Sequence, residues 1–350
     1  MQARWFHLPV KRIRVAAKIL HFIGNFMKAL LSKQPGPPST LVVEEIDDPV
    51  AKKGEILVRV NIAALNFFDC LIIEDKYQYK PPRPFSIAAE MAGVVEAVGE
   101  GVERFSVGDR VCGYVQGGTA RELVVAPEIA LSHIPEGVSD ELAACIMVTY
   151  GTSYHAIKDR GELKPGETMA VLGASGGVGQ AAVELGKIMG ARVIACASSD
   201  EKLDFCRQCG ADEVVNYSRE DLKASLKALG GTAGIDVIYD PVGGDFSEAA
   251  FRSIAWKGRF LVIGFAAGPI PKIPLNLPLL KGADLRGVFW GAFTMREPAA
   301  NRQNIDDLLG WLADGTLKPH VDSVFPLEQA EAALNKIAAR DVKGKVLLKL

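Results

Sequence analysis

Eight consecutive residues, Leu172-Gly173-Ala174-Ser175-Gly176-Gly177-Val178-Gly179, have the composition needed to hold a phosphate with backbone alone. A Cβ would keep the chain away from such an anion, so the glycines let Ser175, Gly176, Gly177 and Val178 bring their N–H groups close. Ala174 stands where the usual G-x-G-x-x-G pattern has its first glycine. An NAD site places an acid against the ribose 2′-hydroxyl about 20 residues past the start of such a motif. Here that place is Ala197, followed by Ser198, Ser199, Asp200, Glu201 and Lys202. A 2′-phosphate carries about two negative charges, which hydroxyls and an ammonium attract and a carboxylate repels. The expected cofactor is therefore NADPH rather than NADH, with Ser198, Ser199 and Lys202 at its phosphate. The serines also fit a helix start, because Ser198-x-x-Glu201 is a capping-box pattern. Tyr217 ends the next apolar run. There it can stack on adenine, bond the phosphate, or be an ordinary half-buried aromatic.

The elements that must position these residues are readable from pattern. Thr168 to Leu172 reads as a buried strand, Gln180 to Met189 as a helix, and Arg192 to Cys196 as a second strand. Further strand-like runs at 214–217, 237–239, 260–263 and 285–289 alternate with helical stretches, which is the signature of a doubly wound parallel sheet. Ahead of it, short apolar runs at 41–44, 55–65, 92–98, 110–114 and 120–125 are separated by glycine and proline turns. That density of short strands argues for a small twisted β-barrel. After residue 293 come a helix at 304–313, a short strand at 323–325, a helix at 327–339 and a last strand at 345–350. The expected fold class is α/β, with residues 27–148 and 294–350 forming the barrel domain and 149–293 the dinucleotide-binding domain.

Composition sets outer bounds. At 350 residues, 49% hydrophobic and net charge −2, the chain has room for two cores and no charge excess that suggests nucleic acid or a membrane surface as partner. No apolar run approaches the ~20 residues of a membrane helix. The six cysteines are scattered, as suits reduced thiols in a cytosol-like compartment. Cys206-x-x-Cys209 reads as two half-buried thiols on one helix, with a redox or metal pair as the alternative. Residues 1–26 carry Arg4, Lys11, Arg12, Arg14 and Lys18 and no acid. Two readings of this extension stand side by side: a mitochondrial transit peptide, or a stretch ahead of a true start at Met27 in a cytoplasmic protein.

Several spaced motifs carry a resemblance. They are Ala63-Ala64-Leu65-Asn66-Phe67-Phe68-Asp69, Ala89-Glu90-Met91-Ala92-Gly93-Val94-Val95, Thr149-Tyr150-Gly151-Thr152, the glycine turn, and Ile263-Gly264-Phe265-Ala266-Ala267-Gly268. In this order they resemble the medium-chain dehydrogenase/reductase superfamily and, within it, the zinc-free, zeta-crystallin-like quinone oxidoreductase branch. The resemblance covers the chain from Met27 onward and implies a GroES-like catalytic domain beside a Rossmann domain. Zinc-dependent members carry a cysteine in the first motif and a histidine beside the glutamate of the second. This chain has Asn66, Phe67 and Ala89 in those segments, so no metal is expected.

The same resemblance places Asn66 near the nicotinamide ribose, Asp69 behind it, and Thr152 near the nicotinamide amide or a phosphate. Tyr77 falls where related enzymes have a pocket tyrosine that donates a hydrogen bond or a proton, with a plain surface aromatic as the alternative. Gly264, Phe265, Phe289 and Trp290 lie at or past the carboxyl ends of two strands, where such sheets bind ligands. Lys343 resembles a late basic residue near the cofactor's phosphate. The run 284–290 reads as a sheet edge through which two subunits pair as a homodimer. Without a Lewis acid, acceptors that take hydride easily are favoured. Quinones lead, and enones or enoyl thioesters are the alternative. A nucleotide-binding protein with little catalysis is the reading from another class.

Overall fold

The computed structural model describes residues 26–350, so the basic extension, apart from Phe26, lies outside the described residues. A six-stranded sheet forms the middle of the chain. Its strands run in the order Glu213–Asn216, Arg192–Ala197, Thr168–Leu172, Ile235–Asp240, Ile254–Val262 and Asp284–Gly287, and every neighbouring pair is parallel. Strand order reverses between Thr168–Leu172 and Ile235–Asp240, which opens a crevice outside the carboxyl ends of these two strands. Three of the four inner strands, Arg192–Ala197, Thr168–Leu172 and Ile235–Asp240, are almost wholly buried, because helices cover both faces of a parallel sheet.

The rest of the chain forms a three-stranded sheet, Val42–Asp47, Phe26–Ser32 and Phe85–Ser86 in that order, and a seven-stranded sheet that includes the last strand. Val321–Pro326 and the last strand, Lys345–Lys349, join Glu55–Leu65, Glu90–Val98, Arg110–Tyr114 and Leu131–His133 in that order, and Leu123–Pro127 also pairs with Glu55–Leu65. Lys345–Lys349 runs antiparallel to Glu55–Leu65, with Val346 opposite Leu65. Glu55–Leu65 also pairs with Glu90–Val98, setting Ala64 opposite Glu90. These two registers bring residues from three distant parts of the chain to one end of the sheet.

Some elements differ from the sequence-based expectation. Phe67–Ile73 is a helix that begins directly after Asn66. The segment Ile146–Arg160 is one long helical stretch in which a single α turn, Gly151–Tyr154, lies between two π-type turns. Apolar periodicity alone does not distinguish such widened turns from α-helix. The edge strand is shorter than expected. It stops at Gly287, so Phe289 and Trp290 fall at the start of the helix Trp290–Arg296.

Candidate functional site

The glycine turn links Thr168–Leu172 to the helix Gly177–Ile188. Gly173 has φ of 58°, in the left-handed region that favours glycine. A Cβ on Gly179 would stand 2.2 Å from the Gly173 carbonyl oxygen, so only glycine lets the helix sit this close to the turn. Gly176 caps the helix without a side-chain acceptor, which leaves the first N–H groups available to an anion. The chain's last turn meets this one: the Gly344 N–H donates to the Ser175 carbonyl at 3.0 Å, and Gly344 bridges Gly176.

At the far end of the crevice a cationic group gathers past Ala197. Lys202 Nζ lies 3.5 Å from Ser198 Oγ and 2.8 Å from the Arg340 carbonyl oxygen. Ser199, rather than Ser198, caps the next helix, accepting from the Lys202 N–H at 3.4 Å. The strand runs one residue further than expected, to Ala197, and this moves the helix start along and leaves Ser198 exposed. Lys343 Nζ pairs with Glu201 at 2.6 Å. Burial pushes the Tyr217 hydroxyl up to about 12, with Ser198 and the Arg340 charge working against that shift. Arg340 has a left-handed backbone (φ 59°), and its Nη2 donates to the Ala266 carbonyl at 2.7 Å, which ties it to the loop carrying Gly264 and Phe265. Sequence reasoning missed Arg340. Its only signal was a basic residue three places before Lys343, and nothing local said that this helix end folds back onto the crevice.

A second cluster is buried where three strands of the seven-stranded sheet meet. Lys345 Nζ donates to Glu90 Oε1 at 2.5 Å, to Asn66 Oδ1 at 2.7 Å and to the Leu65 carbonyl at 2.9 Å. Asn66 Nδ2 donates to Glu90 Oε1 at 2.9 Å, and Glu90 Oε2 accepts from the Val148 N–H at 2.8 Å. The Asn66 amide is therefore held at both ends. Asp69 stands just behind, accepting from the Asn66 N–H at 2.7 Å and the Ala88 N–H at 3.1 Å. Complete burial outweighs these bonds and the nearby Lys345 charge, and raises the Asp69 carboxyl to about 7. Among the candidates read from sequence, the fold brings Asn66 and Asp69 together. Glu90 and Lys345 are the partners that reading did not assign.

Beside this cluster lies a cavity of 490 Å³, walled by Tyr114, Met147 and Trp290 among others. Met147 precedes Val148, the residue whose N–H holds Glu90, so the cavity adjoins the buried network. Trp290 packs edge-on to Tyr114, with ring centroids 5.0 Å apart, and lies so close to Gly151 that a Cβ there would be 3.0 Å from the indole. Thr152 follows Gly151 on the same turn and is half-buried. Tyr77 is half-buried and stacks on Phe68 at 5.7 Å. Burial raises its hydroxyl and pushes that of Tyr114 to about 12, so both keep their protons at neutral pH. Phe289 points to the surface and joins none of these groups, whereas its neighbour Trp290 is buried.

Comparison with known proteins fits this arrangement. Residues 52–136 match the alcohol dehydrogenase GroES-like domain and residues 177–307 the zinc-binding dehydrogenase domain. Quinone oxidoreductase-like protein 2 of Rattus norvegicus is 38% identical over 91% of this chain and 90% of its own length. The chain belongs to the quinone oxidoreductase branch of the medium-chain dehydrogenase/reductase superfamily. It is an oxidoreductase of that superfamily. The quinone oxidoreductase of Pseudomonas aeruginosa is 33% identical over 89% of this chain and 96% of its own. The structure of Escherichia coli quinone oxidoreductase complexed with NADPH superposes with a TM-score of 0.87 at 26% identity, covering 92% of this chain and all of that one.

One of the matched domains is described as zinc-binding, and the donor set here can be tested against that. Among the described residues no three His, Cys, Asp or Glu side chains come together as metal ligands. Glu90 of the second motif meets an ammonium instead, so a cation of the protein already occupies the electrostatic place beside it. The residues present do not fit zinc at this point of the quinone oxidoreductase fold. Among them, too, no helix is long and apolar enough to cross a membrane.

Proposed function

We propose that this oxidoreductase transfers hydride from NADPH to a quinone without a metal ion. The observation that carries the reading is the pairing of Glu90 with Lys345 beside an aromatic-walled cavity. Aromatic walls suit a flat apolar acceptor, and the Lys345 ammonium stands beside Glu90 where a Lewis acid that polarises an alcohol would need a free carboxylate. NADPH supplies the hydride. The turn Ser175–Val178 suits its pyrophosphate, and Ser198, Lys202 and Tyr217, flanked by Arg340 and Lys343, suit its 2′-phosphate. The relative from Escherichia coli, whose NADPH complex shares the fold, supports that choice.

In this reading Asn66, pinned by Lys345 and Glu90, positions the nicotinamide ribose, and Asp69 fixes the Asn66 backbone. Thr152 borders the nicotinamide, and Gly264 and Phe265 border the crevice. Tyr77 and Tyr114 supply hydrogen bonds to the acceptor oxygen. Those protonated hydroxyls also favour a second reading, reduction of the carbon–carbon double bond of an enone or enoyl thioester, which needs a proton beside the α-carbon.

The test follows NADPH and NADH consumption against quinones, enals and enoyl thioesters, with metal analysis of the same sample. Faster turnover with NADPH and quinones is expected. Preference for NADH would overturn the phosphate assignment. Turnover of enoyl thioesters alone would replace the first reading by the second, and stoichiometric zinc would end the metal-free reading.

Three further proposals accompany this one. Residues 27–148 with 294–350 act as the catalytic unit and 149–293 as the cofactor-binding unit. Two copies pair through the edge strand Asp284–Gly287, beside which Leu279, Leu280, Leu285 and Trp256 are exposed. All six cysteines are unpaired and five are buried, which suits a reducing compartment.

A further inference from the structure

The cavity beside the buried network is not finished by apolar walls. From Tyr114 and Trp290 it extends to the helix Pro298–Ala313, where Asn301 and Arg302 line it. Asn301 Oδ1 is buried without a hydrogen-bond partner. A buried polar atom left in that condition is costly, and among the described residues no hydrogen bond fixes this oxygen in its present orientation. The amide presents an acceptor on one side and an N–H donor on the other, so a half-turn suits it to either kind of ligand atom.

Arg302 has similarly unspent capacity. Its guanidinium makes two long contacts, both from Nη2, to the Leu131 carbonyl at 3.4 Å and the Ile129 carbonyl at 3.5 Å. Among the described residues it forms no salt bridge. Glu128 and Asp306 are within electrostatic reach, and Arg104 opposes them. Glu128 Oε1 accepts from the Glu103 and Arg104 N–H groups at 3.0 and 2.6 Å, and the carboxylate forms no salt bridge with Arg302. Asp306 is exposed to water. Burial and the Arg104 charge hold Arg302 below its ordinary value, yet an arginine remains charged at neutral pH. A half-desolvated fork of N–H donors at one end of an apolar cavity is suited to a carboxylate, which it can meet with two parallel bonds.

We infer that the acceptor carries an anionic tail. Its ring lies by Tyr114 and Trp290, and a carboxylate on a short alkyl chain reaches Arg302 and Asn301 at the other end of the cavity. The cavity volume, 490 Å³, is in the range of sites that enclose a whole small ligand rather than a ring alone. The inference rests on the reading of this cavity as the quinone site and adds the chemical class of the substituent.

The test compares three naphthoquinones with the same alkyl chain, ending in a methyl, a carboxylate or a trimethylammonium group, with NADPH and the full-length chain. The carboxylate should have the lowest KM, below the methyl compound by about tenfold, the scale of a hydrogen bond to a charged group. In Arg302→Met the ratio between those two KM values should fall to about one. Asn301→Asp, which sets a negative charge beside Arg302, should raise KM for the carboxylate compound far more than for the trimethylammonium one. Melting curves identify any variant that fails to fold, and the wild-type ranking stands without either variant. Equal KM values for the three quinones in the wild type, or a carboxylate preference that survives Arg302→Met, would overturn the inference while leaving the quinone reading intact. No turnover of any of the three, with enoyl thioesters reduced, would overturn both.

Discussion

Lys345 Nζ lies 2.5 Å from Glu90 Oε1 with both side chains out of water, 3% and 0% exposed. All three ammonium donors are spent inside the protein, on Glu90, Asn66 and the Leu65 carbonyl. The pair joins the last strand of the chain to two strands of its first half and, through Asn66, fixes the residue proposed to face the cofactor. Removing one member of a buried ion pair strands the other, which typically costs about 3–5 kcal/mol. Lys345→Met should therefore destabilise the chain by that order in urea denaturation. Adding Glu90→Gln should recover a substantial part, because the stranded charge is gone. A Lys345→Met variant as stable as the wild type would mean that the pair does not hold the fold.

The cationic group past Ala197 makes a separable prediction about cofactor choice. Lys202 and Arg340 approach the proposed 2′-phosphate, a group that NADH lacks. Hydrogen bonds to a charged group are worth about 1.5–3 kcal/mol, or roughly a ten- to hundredfold change in affinity. Arg340→Ala and Lys202→Ala should each raise KM for NADPH on that scale and leave KM for NADH nearly unchanged. Equal losses with both cofactors would show that these residues support the crevice rather than read the phosphate.

Asp69 gives a pH dependence with a definite sign. Burial raises its carboxyl from the ordinary 3.8 to about 7 in the folded chain. Between these values the folded protein binds a proton that the unfolded chain has lost. The contribution of Asp69 to stability is thus full below pH 4 and is lost as pH rises through about 7. Asp69→Asn cannot titrate. The stability of the wild type relative to this variant should therefore decline from pH 5 to pH 8 when both are unfolded in denaturant at each pH. A difference that grows with pH would show that the N–H bonds from Asn66 and Ala88 outweigh burial.

The fold was legible where local rules decide it. The glycine turn, the alternation from Thr168 onward and the return of the tail to strand pattern all depend on backbone sterics and apolar spacing, which a single chain displays. What could not be read depended on contacts made across the chain. Glu90 and Lys345 are 255 residues apart, and each alone looks like an ordinary charged residue on a strand. Arg340 becomes part of the crevice only because the strand Lys345–Lys349 docks beside Leu65. The edge strand ends early, at Gly287, so Trp290 starts a helix and its indole packs against Gly151 and walls the cavity, a placement that apolar pattern does not reveal. Ser199 rather than Ser198 caps the helix after Ala197, a shift of one residue that strand length decides and sequence pattern does not.

The edge of the parallel sheet carries the last prediction. Asp284–Gly287 pairs on one side with Ile254–Val262, and among the described residues no strand pairs on its other side. The helix Asn276–Lys281 leads into it with Leu279 78% exposed, and Trp256 lies against Gly282 at the end of that helix while itself 66% exposed. An unpaired edge flanked by exposed large apolar side chains attracts a second chain, and an identical edge related by a two-fold axis satisfies both its hydrogen bonds and its apolar area. Light scattering at micromolar concentration should show a dimer. Leu279→Glu combined with Leu285→Glu should convert it to monomer, since two like charges from each copy would face one another in a dewetted contact. Leu279 is 78% and Leu285 40% exposed in the single chain, so melting curves of the variant check that the isolated fold survives the change. A wild-type chain that is monomeric across that concentration range would rule out this edge as a subunit contact.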